Sequence, residues 1–415
     1  MNLSSLGGLF VFSILLTRQL GKESLGLYTL FTATLMPFVF LVDFGQSTSL
    51  VKTLGNEPNE TNDVVRRALV AKLLLSGCTG ILILIFTLWL FPVPAERYLF
   101  ALFSAILLPR AIYLTFEAAL RAHEKMLHLA AVTLVWSLLL VAGTSFLTLT
   151  GYSFEVIVLF LILVECSKAG LLWLVSRNSL GLRLLAGMHI NLQDIQAMLK
   201  TALPFFVTGF FGILYYRVDV IMLAWLRDTA AVGEFSAASS FVKMLRVVPS
   251  VIVAAFFPAV TSMAENGALA KILTRRTLLL QAGTSVVLAG TIFLLSPQLI
   301  DWTYHIPESV TILRIFVWSL VPLALYSTLI YAFFQADKAR WCVRIVTSGF
   351  FFNIILNYML IPGMGAKALA VSSVASESFC LLLCSIAFVV LMKNKNVEAA
   401  PDAGNKAVPV FTAMG

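Results

Sequence analysis

The sequence predicts an all-α membrane protein of about twelve transmembrane helices, arranged as two six-helix lobes related by an internal repeat. Three observations carry this. The 415 residues are 60% hydrophobic and only 12% charged, with a mean hydropathy of +0.94, whereas a soluble chain carries about 25% charged residues. Apolar runs of bilayer-crossing length, about 20 residues, recur along the chain. One stretch of the first half reappears in the second.

The runs lie near 3–20, 27–50, 68–90, 98–120, 129–149, 155–176, 202–224, 235–257, 278–299, 311–334, 343–361 and 366–392. Continuous apolar runs satisfy their own backbone in lipid only as helices, and the two-residue alternation of a barrel strand is absent. The first run has neither a basic n-region nor an A-x-A site, so it is a helix rather than a signal peptide.

"LLPRAIYLTFEAALRAHEK" (107–125) placed on "LVPLALYSTLIYAFFQADK" (320–338) without a gap matches at Leu107/Leu320, Pro109/Pro322, Ala111/Ala324, Tyr113/Tyr326, Thr115/Thr328, Ala119/Ala332 and Lys125/Lys338. "LGKESLGLY" (20–28) is similar to "LRDTAAVGEF" (226–235), and "VVRRAL" (64–69) to "LTRRTL" (273–278). Six helices per half make these parallel repeats about an axis along the membrane normal, with a substrate path between lobes as the default. The expected divisions are an N-terminal lobe at 1–176, a cytoplasmic linker at 177–201, a C-terminal lobe at 202–392 and a polar, disordered tail at 393–415. A proline in each repeated helix is expected to kink it.

Of 29 Lys and Arg residues, 18 fall on loops and tail of one side, Lys72 among them, five on the other and six in or beside spans. The positive-inside rule makes the richer side cytoplasmic and puts both termini there. The excess of +8 is thereby accounted for without nucleic acid. Cys78, Cys166, Cys342, Cys380 and Cys384 fall within spans and behave as small hydrophobes. The four histidines are scattered, so no metal site or cofactor is expected. No G-x-x-x-x-G-K-[ST] occurs.

The informative residues are charges inside the membrane: Arg110, Lys168, Arg217, Lys243, Arg246 and Arg314, with Asp43, Glu117, Glu165, Asp219 and Glu377. Each costs roughly 2.5–3.5 kcal/mol at the bilayer centre, so they face a cavity or one another. Glu165 and Lys168, three apart, read as a local ion pair. Lys243 and Arg246 share a face and repel unless an anion or a carboxylate lies opposite. Arg217 and Asp219 point apart and need partners elsewhere. Arg110 corresponds to Leu323 and Glu117 to Ile330, so the scaffold does not require charge there. A cationic, water-filled pocket suits a phosphate or pyrophosphate, which arginine meets with a bidentate fork. The alternative is a structural Arg110–Glu117 pair bridged by a neighbouring helix.

"LLTRQLGKESLGLYTL" followed by "LVDFGQSTSLVKTLG" resembles the polysaccharide (O-antigen, Wzx-like) flippases of the MATE/MOP superfamily. The pattern is carried by Arg18, Leu20, Gly21, Gly26, Tyr28, Asp43 and Gly45. "ALPFFVTGFFGILYYRVDVIMLAWL", "VGEFSAASSFVKMLRVVPS" and "NIILNYMLIPGMGAKALAVSS" are similar to further family segments, and the likeness covers 5–392. It departs at the start, where family members carry more chain ahead of helix 1. The resemblance implies a MATE-like two-lobed bundle whose central cationic cavity turns an undecaprenyl-pyrophosphate-linked oligosaccharide to the outer leaflet of the bacterial cytoplasmic (inner) membrane. It implies surface polysaccharide synthesis (O-antigen and lipopolysaccharide, capsule or exopolysaccharide), with a polysaccharide polymerase and a chain-length regulator as partners.

Read onto this chain, the head-group cavity residues are Arg110, Arg217, Lys243 and Arg246, and the ion-coupling carboxylates are Asp43, Glu117, Asp219 and Glu377. No catalytic residue is expected. A multidrug exporter or lipid II exporter of the same superfamily is the alternative. A membrane-bound polymerase or glycosyltransferase is disfavoured, because no outer loop is large enough to build a catalytic site.

Overall fold

The structure, a computed structural model, describes residues 3–56, 61–91, 93–182, 192–262, 267–335 and 339–398. Every regular element among them is helical: α1 (Leu3–Asp43), α2 (Gln46–Asn56), α3 (Thr61–Leu90), α4 (Pro94–Ser104), α5 (Leu107–Ala122), α6 (Met126–Leu149), α7 (Phe154–Leu180), α8 (Leu192–Leu226), α9 (Thr229–Leu245), α10 (Val247–Ser262), α11 (Gly267–Thr303), α12 (Glu308–Phe316), a 3₁₀ turn at Val317–Ser319, α13 (Leu320–Gln335), α14 (Ala339–Met364) and α15 (Ala366–Glu398).

Among the described residues, eleven helical stretches are long and apolar enough to cross a membrane. The first, Ser4–Asp43, has 40 residues, about 60 Å of helix, twice the hydrocarbon core. It does not run straight. Gly21 has φ 82 and ψ 175, a conformation open to a residue without a Cβ. The rings of Phe12 and Tyr28, which a straight helix would hold about 24 Å apart, have centroids 4.8 Å apart. The chain doubles back at Gly21, so α1 is two passes and the eleven stretches give the twelve passes expected.

The repeated prolines sit differently from expectation. Pro109 lies in the first turn of α5 and Pro322 in the first turn of α13, each just after a break in the helix. A first-turn residue has no intrahelical N–H bond to lose, so each proline starts a helix rather than bending one. The expected 27–50 span ends at Asp43, and the chain resumes as α2 after Phe44 and Gly45, both at positive φ. Linker residues 177–180 extend α7 and 192–201 begin α8, while 183–191 lie outside the described residues. The tail does not leave the helix at 393, since α15 runs to Glu398; 399–415 lie outside the described residues.

Two compact units are present: residues 1–244, 293–316 and 354–372 form one, and 245–292, 317–353 and 373–415 the other. In the first, Phe31 is fully buried among Phe91, Phe100, Phe103 and Phe154. A second cluster joins Leu50, Leu54, Val65, Phe116, Ala119 and Leu172 and seats α5 against α2, α3 and α7. In the second unit, Tyr326, Leu329, Phe333, Ile345, Cys380 and Cys384 pack together. Leu74, Ile81, Leu84, Ile85 and Leu88 of α3 point outward, the face that lipid covers. Many hydroxyls on the helices return to the preceding turn, as Ser76 Oγ to Lys72 O at 2.6 Å and Thr133 Oγ1 to Leu129 O at 2.7 Å, so these need no water inside the bilayer.

The repeat is visible in the packing of α1 on α8 and α9. A methyl group on Gly26 would collide with the carbonyl of Thr229, and one on Gly233 with the carbonyl of Lys22. The two contacts are the same contact exchanged between repeats, with Lys22 matching Thr229 and Gly26 matching Gly233. Thr29 and Ser236, in the same register, hydrogen-bond to each other at 2.7 Å. Each backbone approaches where the other lacks a side chain, the small-residue packing that substitutes for hydrophobic drive in lipid.

Candidate functional site

Arg110 follows Pro109 in the first turn of α5. Its Nη2 donates to Glu165 Oε1 of α7 at 3.0 Å, with the side chains 13% and 8% exposed. Its Nη1 lies 3.8 Å from Met36 Sδ of α1. Arg110 Nε and Glu165 Oε2 are both buried without a hydrogen-bond partner among the described residues. The pair is therefore half made, since a guanidinium and a carboxylate facing each other squarely share two bonds. Neither pairing drawn from the sequence is the one observed. Glu165 does not pair with Lys168, and Glu117 pairs with Arg121 one turn along α5 rather than with Arg110. Local spacing lost to the packing of α5 on α7, which brings residues 55 apart in sequence together.

Lys168, one turn past Glu165, makes no ion pair among the described residues. Its Nζ stands 4.1 Å from the ring centre of Tyr113 and 4.9 Å from that of Trp136. Two π faces stabilise a cation but leave its three N–H donors unsatisfied. Arg217 of α8 lies within electrostatic reach of Arg110, Asp219 and Tyr28, and Tyr28 within reach of Arg110, Glu165 and Arg217. Arg110, Lys168 and Arg217 thus gather in the first unit, with Glu165 the one carboxylate that bonds any of them directly among the described residues. The cluster suits an oxyanion with several acceptor oxygens.

Asp219 lies within electrostatic reach of Arg217, and Glu117 within that of Lys168. Lys243 is exposed near the end of α9. Arg246 belongs to the second unit, where Nη2 lies 3.4 Å from Glu377 Oε1; Glu377 is the opposing carboxylate that the Lys243–Arg246 spacing called for. Asp219 accepts from the N–H of Val220 at 2.7 Å. Asp43 is tied 2.7 Å from Lys72 Nζ, which is wholly buried and also donates to Ser47 Oγ at 3.0 Å. Ser47 Oγ donates in turn to Asp43. Lys72 is thus no loop residue. The signal was present, because position 72 falls inside the 68–90 run. Lys168 had a signal too, being the membrane lysine whose assigned partner was merely the nearest in sequence.

Residues 2–264 match the family of polysaccharide biosynthesis proteins, and residues 204–359 match the MatE family. No curated protein matches the sequence. The fold is similar to that of a multidrug resistance MATE family transporter of the MOP superfamily in an inward-facing conformation, with TM-score 0.75 and 16% identity over 96% of this chain and 97% of that one. It is similar to the lipid II flippase MurJ in an inward closed conformation, with TM-score 0.73 and 16% identity over 96% and 92%. A MOP superfamily transporter from Pyrococcus furiosus, described by the reverse polarity of its binding pocket, gives TM-score 0.62 and 13% identity over 95% and 94%. Likeness at such identity speaks for the fold, and the match over 2–264 for the lineage. The chain belongs to the polysaccharide biosynthesis protein family and has the multi-pass, all-helical fold of the MOP-superfamily transporters.

Proposed function

We propose that the protein is a flippase that moves an undecaprenyl-pyrophosphate-linked oligosaccharide from the cytoplasmic to the outer leaflet of a bacterial cytoplasmic membrane, for surface polysaccharide synthesis. The observation that carries this reading is the gathering of Arg110, Arg217 and Lys168 inside the membrane-spanning bundle with one directly bonded carboxylate. Three cations gathered together favour a pyrophosphate and disfavour the organic cations of a multidrug exporter. The energy comes from an ion gradient, with Asp43, Glu117, Asp219 and Glu377 as the carboxylates available to carry a proton or sodium ion. Both termini are cytoplasmic in this reading.

The test is depletion of the protein in a cell that makes the polysaccharide. Lipid-linked repeat units should accumulate on the inner leaflet while peptidoglycan synthesis continues. A block in peptidoglycan would point to lipid II, and unchanged polysaccharide with heightened sensitivity to cationic drugs would point to multidrug export. In sealed vesicles, transport that ignores ionophores and requires ATP would remove the gradient mechanism.

A further inference from the structure

Glu165 stands near two cations and bonds only one of them. It reaches Arg110 across the α5–α7 contact at 3.0 Å, and Lys168 lies three residues along its own helix, the spacing at which side chains of one face meet. Three features mark the observed arrangement as unsatisfied. Arg110 Nε and Glu165 Oε2 are buried without partners among the described residues, and Lys168 leans on Tyr113 and Trp136 rather than on an anion. Tyr113 is itself one turn past Arg110 on α5, so both cations lie along one α5–α7 seam.

We infer that Glu165 is a built-in stand-in for the anionic head group: it holds Arg110 when the site is empty and transfers to Lys168 when a pyrophosphate takes Arg110. The inference rests on the proposed function, since it assumes that an oxyanion enters this site. Arg110, Glu165 and Lys168 each keep a partner in both states. Empty, Arg110 is neutralised by Glu165 and Lys168 is held by the two rings. Loaded, Arg110 is neutralised by the pyrophosphate and Glu165 by Lys168. No carboxylate is left alone in a low-dielectric interior, a state that costs far more than an exchange of partners. The exchange also supplies release, because the returning Glu165 competes with the pyrophosphate for the same guanidinium. Glu165 and Lys168 are positioning residues here, acting through Arg110.

The experiment uses the full chain in lipid nanodiscs, with farnesyl pyrophosphate as the probe and farnesol as the uncharged control. Glu165→Gln should bind the pyrophosphate about tenfold more tightly than wild type, and Lys168→Met about tenfold more weakly, the scale of one charge-assisted contact. In the Glu165→Gln background, Lys168→Met should change affinity less than about twofold, because no carboxylate remains for Lys168 to receive. Equal losses from Lys168→Met in both backgrounds would overturn the exchange and make Lys168 a direct ligand.

Trp136 gives a second readout that leaves Glu165 untouched. Farnesyl pyrophosphate should alter a fluorescence component that Trp136→Phe removes, as Lys168 leaves the indole, and should fail to alter it in Lys168→Met. A wild-type chain that binds the probe without that change overturns the exchange while the proposed function stands. A wild-type chain that binds farnesyl pyrophosphate no better than farnesol overturns both.

Discussion

Helices α5 and α13 occupy equivalent places in the two repeats and solve the same packing problem with different chemistry. Each begins after a break, each has a proline in its first turn, and each carries tyrosine four residues after that proline, at Tyr113 and Tyr326. In α5 the residue after the proline is Arg110, bonded to Glu165. In α13 it is Leu323, which packs with Ile330 against the cluster of Tyr326, Leu329 and Phe333. The carboxylates nonetheless recur, for Glu377 lies 212 residues after Glu165. Lacking an arginine at 323, Glu377 takes Arg246 as its partner and accepts from the hydroxyl of Tyr326. The repeat therefore preserves the scaffold and the acid, while the base comes from the junction of α9 and α10. The repeated scaffold thus does not require a charge at the place of residue 110.

The strongest way to break the comparison is Arg110→Ala, which strands Glu165 in the interior. Transport should be lost, and stability in detergent should fall by about 3–5 kcal/mol, the range for removing one partner of a buried pair. The double variant Arg110→Ala/Glu165→Ala should recover thermal stability and membrane abundance but not surface polysaccharide. Recovery of polysaccharide as well would make the pair purely structural.

Lys72→Met tests whether any buried pair behaves this way. Lys72 is wholly buried, and its loss strands Asp43 and unties Ser47. Thermal unfolding should register about 3 kcal/mol, largely restored by adding Asp43→Asn. A loss of less than about 1 kcal/mol would mean that water reaches Asp43. Leu323→Ala, the counterpart of the first variant, should cost only about 1–2 kcal/mol for a half-buried leucine and leave polysaccharide intact. Lost transport at normal abundance would bring α13 into the substrate path. The smallest effect belongs to Arg121→Ala, which breaks the Glu117–Arg121 pair at the exposed end of α5. Such an i,i+4 pair contributes about 0.3–0.5 kcal/mol, close to the resolution of a melting curve. A loss above about 1 kcal/mol would place Glu117 in the interior network instead.

The membrane passes were legible because they rest on a local requirement: a backbone in lipid must bond to itself, so twenty apolar residues are a helix wherever they sit. The reversal at Gly21 was legible for the same reason, as two apolar runs separated by a glycine-containing polar segment. The internal repeat was legible as identities at fixed spacing, and the Gly26/Gly233 crossing gives those identities a physical meaning. Residue type and number also fixed that Arg110 and Glu165 needed partners, since an unpaired charge in the bilayer is too costly to keep. Which partner each took was decided by tertiary structure. Spacing along one helix favours Glu165 with Lys168 and permits Arg110 with Glu117, and both proposals are geometrically sound within their own segments. The packing of α5 on α7 set a carboxylate before Arg110 and two rings before Lys168, and the approach of α3 to the end of α1 buried Lys72 beside Asp43. Pairing across helices depends on which faces meet, and that is a property of the assembled bundle rather than of any one stretch of sequence.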